Sequence, residues 1–511
     1  MRIQRLLGRH GWLIAIAAAY LYLFPYFPHI RSANELPRVY LVKAMADDGT
    51  FAIDRHVPAG DRNPDISPSR GHKYSNKAPG SSMLAVPAYT LVRVIAGEPS
   101  LGVTFWICRV FAGIVPALVF LALLWGFLER FAPDPAIRRL VLIAYALGSL
   151  AMTYSILFYS HQLGAVCVGS AWILGVEFVE RKRGLLAIAA AGALAGAAAL
   201  VDYQAVFAAV PVAVYLIIRM WAWPKRELVR AIVLAIAGAA IPIAILLAYH
   251  DASFGSPFRT GYDASEAWAG YHQQGFLGIT KLRGEAFWGS LFRRDNGLFA
   301  LAPWLLLALP GGFVLARAGQ RGVALLCGAV LVLYVLFISS INFWRGGWGI
   351  GPRYITAMLP FLLPLVAAQL AALRSRPWLL GAAAGTIVVG VIIYTLTSAT
   401  FPYWPESIAH PLYEVTFRLV REGLVAPNLA SAFGLTGVLG IVPFLAIAWG
   451  VTGRAIVRAA GWRGFAIAVA VGVAWVAAYA VLPRGNLEPK YQFVRSSVLH
   501  AHGVGVLPPT R

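Results

Sequence analysis

Two short polar strings frame a segment, from about residue 27 to 81, between apolar stretches of the chain. Asn34-Glu35-Leu36-Pro37-Arg38 opens this segment, and Tyr74-Ser75-Asn76-Lys77-Ala78-Pro79-Gly80 closes it. A carboxylate near apolar walls can have its pKa adjusted for general base catalysis. A lysine held by a Pro-Gly turn can place its ammonium beside a phosphate. The pattern therefore predicts a site for a charged, lipid-linked substrate, with Glu35 as the base and Lys77 as a phosphate contact.

The first string also has a simpler interpretation. Asn34 is predicted to cap a helix whose apolar stripe runs from Leu36 to Met45, as in a helix lying at the membrane interface. Glu35 and Arg38 are three residues apart, so they can meet on its polar side. In this alternative the helix is an anchor with a solvated ion pair, and Lys77 only reaches lipid headgroups.

The same segment holds other candidate residues. Asp54 and Asp65 are carboxylates that could replace Glu35 as the base, and Asp65 is the second choice after Glu35. Asn34, Tyr74 and Arg38 are placed among the residues that contact substrate or phosphate. The acidic pair at positions 47 and 48 could bind a divalent cation but is more simply solvated, so no metal or other cofactor is predicted.

A glycine-rich string between two apolar stretches is a further candidate phosphate site: Trp344-Arg345-Gly346-Gly347-Trp348-Gly349-Ile350-Gly351-Pro352-Arg353. Its glycine N–H groups could approach anionic oxygens, and Arg345 and Arg353 could grip a phosphate bidentately. A tight turn between helices is the alternative, but such a turn does not need two tryptophans and two arginines. Arg353 at the mouth of a span would be costly without an anionic partner.

Two weaker candidates come from short connections. His161 begins an apolar stretch and is predicted to contact substrate, although a capping or interfacial histidine explains it equally well. Asp202 occupies a very short turn between two stretches, where it is either a helix cap or a substrate contact.

The elements that position these residues are predicted to be membrane-spanning helices. The chain is 59% hydrophobic and 13% charged, whereas a soluble protein carries about a quarter charged residues. Its mean hydropathy is +0.69. The apolar stretches long enough to cross a bilayer as helices are 11–28, 105–127, 138–158, 162–179, 185–201, 204–222, 230–249, 297–316, 322–340, 354–373, 378–397, 431–450 and 464–482.

The basic residues of the chain predict its orientation. The net charge of +21 comes from cations in short tracts between apolar stretches, which indicates membrane topology and excludes nucleic acid binding. Loops rich in Lys and Arg are placed inside, so the N-terminus is cytoplasmic and the C-terminal tail is periplasmic. The stretches 29–104, 250–296 and 400–430 then lie outside as short amphipathic helices and loops.

The chain resembles the multispanning GT-C glycosyltransferases, the group that includes the lipid A aminoarabinose transferase and the protein O-mannosyltransferases. The resemblance rests on Asn34-Glu35 with Arg38 after the first span, on Lys77-Ala78-Pro79-Gly80, and on the early Arg109 of the next span. That superfamily has Asp where this chain has Asn34, and its lipid A enzymes have Lys-Pro-Pro where this chain has Lys-Ala-Pro. The resemblance implies an all-α polytopic GT-C fold, with a catalytic module at 1–360 and further membrane helices at 361–511.

The resemblance also implies an activity and its partners. The expected reaction moves a sugar from a polyprenyl-phosphate donor to a lipid, glycan or protein acceptor at the periplasmic face of the bacterial inner membrane. A transporter or lipid flippase for an anionic substrate is the alternative. Ionisable residues are scarce in the middle of the predicted spans, where a coupling relay would be expected, so the enzyme is favoured.

Overall fold

The computed structural model describes residues 2–28, 30, 32–480 and 488–503 as an α-helical bundle with one small β-hairpin. The helices of the first half are α1 Arg2–Tyr22, α2 Leu36–Lys43, α3 Gly80–Ala96, α4 Leu101–Arg109, α5 Val115–Phe127, α6 Pro135–Leu147, α7 Leu150–Ile156, α8 Ser160–Val179, α9 Leu185–Val201, α10 Val206–Met220 and α11 Lys225–Phe254. Those of the second half are α12 Ala269–His272, α13 Gly284–Leu291, α14 Leu298–Leu301, α15 Ala308–Arg317, α16 Arg321–Ser340, α17 Leu359–Ala372, α18 Pro377–Thr400, α19 Phe417–Arg421, α20 Val438–Ala480 and α21 Glu488–Ala501. The hairpin pairs β1 Ile66–Ser69 with β2 His72–Ser75 in antiparallel register.

Long apolar helices agree with a protein that crosses a membrane many times. Within the described residues, eight helices are long and apolar enough to cross a bilayer, and a bent pair formed by α6 and α7 makes a ninth candidate. Shorter apolar helices include His10–Tyr22, Leu185–Val201 and Pro303–Arg317. The polytopic helical fold is therefore confirmed, whereas the count of thirteen spans stays a prediction.

The predicted spans at 431–450 and 464–482 both fall largely within the single long element α20, although residues 431–437 precede it. Gly461 has φ 71° and ψ 178°, which breaks the helical backbone and leaves two helical arms. Both arms pack on α18, because Trp449 donates to Thr395 and Gly464 lies against Gly381. The end of the second predicted span, from residue 481, lies outside the described residues, as do residues 483–487 and 504–511 of the predicted tail; α21 and the two residues after it are the described part of that tail.

Small residues set the close packing of α9 against α11, as the alanine-rich composition of this region predicts. A Cβ on Gly192 would lie 1.9 Å from the carbonyl oxygen of Ala235, and one on Gly238 would lie 2.1 Å from that of Ala189. The two helices can therefore approach this closely only because both glycines lack a side chain.

The first outside stretch differs from the predicted surface helix. Every residue of α2 from Leu36 to Val42 is buried, so both of its faces are covered by protein. The hairpin was not predicted. Arg70 and Gly71 form its turn with φ values of 52° and 81°, as a type I′ turn requires. The Arg-Gly pair followed by alternating residues was the local signal for this hairpin.

A break between α6 and α7 positions the start of α8. The two helices meet at 55°, and the Ser149 side chain accepts a hydrogen bond from the N–H of Ala151 to begin α7. After α7 the backbone becomes extended at Leu157 and Tyr159. The N–H of Phe158 is consequently free to bond outside its own helix.

Candidate functional site

Glu35 lies at the centre of a buried group that we call the framework cluster: Glu35, Arg109, Tyr403 and the N–H of Phe158. One carboxylate oxygen accepts from Arg109 Nε at 3.0 Å and from Phe158 N at 2.6 Å. The other accepts from Arg109 Nη2 at 3.1 Å and from the Tyr403 hydroxyl at 2.6 Å. Burial and the charge of Glu35 raise the pKa of Tyr403, so its hydroxyl remains a donor.

These four bonds argue against Glu35 as the general base. A carboxylate has about four acceptor sites, and hydrogen bonds to its charged form stabilise that form. The cluster does line a cavity of about 210 Å³. Glu35 nevertheless has no acceptor site left for the proton of a substrate, so we assign it a structural role.

Arg38 does not pair with Glu35, which contradicts the alternative of a surface helix with a solvated ion pair. Its Nε donates to Asn34 Oδ1 at 3.3 Å, and Asn34 makes no capping bond to α2. Its Nη1 donates to the carbonyl of Ala78 at 3.1 Å, and its Nη2 donates to Ser160 Oγ at 2.9 Å. Arg38 therefore ties the residue after Lys77 to the residue before His161.

The hairpin brings Asp65 and Lys77 together. Asp65 precedes β1 and Lys77 follows β2, so antiparallel pairing places them at the same end of the hairpin. Lys77 Nζ lies 2.9 Å from Asp65 Oδ2, and both side chains are buried. Burial lowers the pKa of Lys77, and the Asp65 charge opposes that effect. Lysine has three N–H donors, and Asp65 takes one of them.

Aromatic residues of the second outside stretch complete what we call the lysine cluster: Asp65, Lys77, Tyr262 and Trp268. Trp268 Nε1 donates to Asp65 Oδ1 at 2.9 Å. Lys77 Nζ lies 5.4 Å from the ring centroid of Tyr262, and His272 stacks on that ring at 4.4 Å. Burial lowers the pKa of His272 to about 4, so this histidine is uncharged at neutral pH. Sequence reasoning missed these rings, and no local pattern indicated them.

His161 and Asp202 form a second buried unit, the histidine pair. His161 Nδ1 lies 2.8 Å from Asp202 Oδ2, although the two residues come from separate connections. A carboxylate accepts and cannot donate when ionised, so Nδ1 carries the proton and Nε2 carries the lone pair. Nε2 is buried and has no hydrogen-bond partner among the described residues.

Arg353 is fixed by the glycine-rich turn. Its guanidinium donates to the carbonyl of Trp348 at 3.1 Å and to that of Gly346, and its Nε has no partner among the described residues. The guanidinium lies 5.2 Å from the ring centroid of Tyr159 and 5.6 Å from that of Tyr354. No carboxylate of the described chain is within ion-pair distance of Arg353, so its charge lacks a protein counter-ion.

The N–H groups of Gly346, Gly347 and Gly349 are not free, contrary to the prediction. The N–H of Gly347 donates to Glu406 Oε1 at 2.7 Å, and that of Gly349 donates to the carbonyl of Trp404 at 3.1 Å. Positive φ values at Gly346, Gly347 and Gly351 show that the glycines serve the turn. The turn orients Arg353 rather than cradling an anion with its own backbone.

Three predicted residues are engaged elsewhere. Arg345 forms an ion pair with Asp295, which also pairs with Arg293 at 2.9 Å. Asp54 is exposed and accepts from the N–H of Lys73 at 3.0 Å, which fastens the hairpin. Tyr74 packs edge-on against Phe254 with ring centroids 5.7 Å apart. Each has a structural partner that explains it.

Both members of the acidic pair in the first outside stretch have partners within the protein. Asp47 pairs with Arg93 at 2.5 Å, and Asp48 bonds to His56 at 2.8 Å. Within the described part of the chain, no three His, Cys, Asp or Glu side chains gather as a metal ion would require.

Comparison with known proteins finds solved structures with a similar fold. No protein-family model and no curated protein matches the sequence. ArnT from Cupriavidus metallidurans in the apo state matches with a TM-score of 0.50 and 15% identity over 93% of this chain and 78% of that one. AglB from Archaeoglobus fulgidus, in complex with an inhibitory peptide and a dolichol-phosphate, matches with a TM-score of 0.53 and 11% identity over 82% of this chain and 58% of that one.

The likeness is one of architecture at these identities. ArnT and AglB are both GT-C glycosyltransferases, so the chain has a GT-C-like fold, as the sequence predicted. The chain spans less than two thirds of AglB.

Proposed function

We propose that the protein is a membrane glycosyltransferase that takes a sugar from a polyprenyl-phosphate donor and passes it to a hydroxyl acceptor. One observation carries the proposal. Arg353 is a buried cation with no counter-ion among the described residues, and His161 is a buried base whose Nε2 has no partner there. Both lie against the same two rings, Tyr159 and Tyr354. Sugar transfer from a phosphate-linked donor needs a cation for the leaving phosphate and a base for the acceptor proton, and these two groups must lie side by side.

The cations supply the leaving-group site. Within the described part of the chain, Lys77 keeps two donors beyond Asp65, and Arg353 has an unpartnered Nε. Fixed donors aimed at developing charge stabilise a transition state more than water does. We assign Lys77 and Arg353 to the phosphate that departs with the polyprenyl chain. The dolichol-phosphate bound by AglB is a ligand of this class.

The histidine pair supplies the base. In the proposed step the acceptor oxygen bonds to the anomeric carbon while the bond from that carbon to the phosphate oxygen breaks. The acceptor proton moves to His161 Nε2, and the electron pair of the broken bond leaves with the phosphate. Asp202 holds the tautomer and stabilises the imidazolium that forms.

Release of the carrier phosphate tests the proposal. Purified protein is incubated with a panel of labelled polyprenyl-phosphate sugars and extracts containing lipid and glycan acceptors. We expect wild-type protein to release polyprenyl phosphate with at least one donor. Lys77→Met should lower this rate by about 100-fold or more, the scale of losing one donor to developing charge. Lys73→Met, an exposed lysine of the same hairpin, should keep the rate. Absence of release with every donor would favour a transporter or flippase.

A further inference from the structure

The end of the bundle opposite the lysine cluster contains a basic cavity. It has a volume of about 470 Å³ and lies between α1, α6 and the first arm of α20. Three arginines line it: Arg139, Arg454 and Arg458. Because α1 enters the bundle at this end and the first outside stretch follows its other end, the cavity is far from the candidate site along the membrane normal.

The three cations have no counter-ion in the described chain. The neighbouring carboxylates are already paired, Glu129 with Arg138 at 3.2 Å and Asp134 with Arg374 at 2.6 Å. Among described residues no carboxylate lies within ion-pair distance of the cavity arginines, and Arg139 Nε is buried without a partner. Arg139 is half-buried, whereas Arg454 and Arg458 are exposed at the mouth of the cavity. Three like charges around one cavity attract an anion.

The rest of the cavity wall is apolar. Trp12, Ile143 and Ile447 line it, together with small residues of α1 and α20. A free inorganic anion would leave this apolar wall without a partner. A lipid fits both parts, because its headgroup is charged and its tails are apolar.

We propose that this cavity binds the phosphate headgroup of an anionic membrane lipid, with an acyl tail against α1 and α20. Basic pockets between helices are known to hold phosphate headgroups. The bound lipid neutralises the three arginines and links the first helix to the last membrane helices. The proposal does not depend on the glycosyltransferase activity.

Titration of a short-chain lipid tests the site. Full-length protein in an uncharged detergent is titrated with dioctanoyl phosphatidylglycerol and the complex is counted by native mass spectrometry. We expect one lipid per protein. The triple variant Arg139→Gln/Arg454→Gln/Arg458→Gln should bind about 100-fold more weakly, from about fivefold per cation. Lys225→Gln/Arg226→Gln/Arg230→Gln removes three exposed cations at the same end and should bind within about twofold of wild type.

Two further ligands test whether the cavity recognises an anionic lipid. Dioctanoyl phosphatidylcholine should bind at least tenfold more weakly, since it has no net charge. Equal binding of that lipid, or equal binding of inorganic phosphate alone, would overturn the proposal, as would unchanged lipid binding in the cavity triple. Should the triple variant fail to fold, the single exposed change Arg458→Glu gives the same comparison.

Discussion

The contacts of the framework cluster indicate that a buried carboxylate can have a structural role rather than a catalytic one. Glu35 and Arg109 are both buried, and their pair is completed by Tyr403 and the Phe158 N–H. This ion pair joins the first outside stretch, α4 and the segment before α8. The Glu35 carboxylate is occupied by those partners, so we assign the proposed proton transfer to another group, whereas Arg109 Nη1 is buried without a hydrogen-bond partner among the described residues.

Loss of one partner of this pair should destabilise the protein. Glu35→Gln leaves the Arg109 charge buried without its carboxylate, which costs about 3–5 kcal/mol. The free energy of unfolding in detergent checks this. Glu98→Gln removes the partner of Lys43 from a surface pair and should leave that free energy within error. Equal stability of the two variants would contradict the framework role.

Substitutions in the histidine pair should lower the transfer rate and leave donor binding intact. Asp202→Asn should lower the transfer rate by about 10³–10⁴-fold, because the amide favours the wrong imidazole tautomer. His161→Gln should lower it at least as far. Both variants should still bind a polyprenyl-phosphate donor in an equilibrium assay, since neither group is assigned to the phosphate. Donor binding lost together with activity in both variants would refute the assignment.

Local sequence features indicated candidate residues but not their partners. Arg353 was singled out because a cation at the mouth of a span is costly, Lys77 because a Pro-Gly turn follows it, and His161 and Asp202 because they occupy short connections; the structure buries all four, and their roles stay predictions. Glu35 was predicted as the base, but its partner Arg109 lies 74 positions away. Pairing over that distance depends on the tertiary fold, which local spacing does not encode.

At the scale of elements, the hairpin and the helix contacts position the site. β1 and β2 carry Asp65 and Lys77 to a common end, and the break between α6 and α7 releases the Phe158 N–H for Glu35. Apolar length predicted the positions of the long helices well. The hairpin was not predicted, because amphipathic helices were expected in this stretch and the turn signal at Arg70 and Gly71 is short.

The contact of α9 with α11 should be sensitive to a single methyl group. Gly192→Ala places a Cβ against the Ala235 carbonyl, and overpacking of this kind costs about 1–3 kcal/mol. Gly328→Ala, in α16, meets nothing within 4 Å and should be neutral or slightly stabilising. Thermal unfolding in detergent compares them. A lower midpoint for Gly328→Ala than for Gly192→Ala would contradict the packing argument.

For the whole molecule, the unequal loop charges predict which end faces the cytoplasm. All three native cysteines are buried, so wild-type protein should label little with a membrane-impermeant maleimide. Ala59→Cys, in the first outside stretch, should label from the periplasmic side of intact spheroplasts. Lys182→Cys, in a basic loop, should label only after the membrane is opened. Labelling in the reverse order would invert the orientation.

The two ends of the molecule carry different chemistry. The lysine cluster, Arg353 and the histidine pair gather at one end, and the basic cavity of α1, α6 and α20 lies at the other. The GT-C-like architecture could be expected from apolar length and motif likeness. The separation of the cations into the proposed reaction site and the proposed lipid site depends on three-dimensional packing, which the sequence does not show.

A cryo-EM structure with bound polyprenyl phosphate tests the central claim most directly. We expect the phosphate to lie within about 3 Å of Lys77 Nζ and of the Arg353 guanidinium, the distance of a charge-assisted hydrogen bond. The His161 ring should face the open side of that phosphate, where the acceptor enters. A phosphate bound instead at Arg109 in the framework cluster, or absent from the Lys77 and Arg353 region at saturating ligand, would contradict the account.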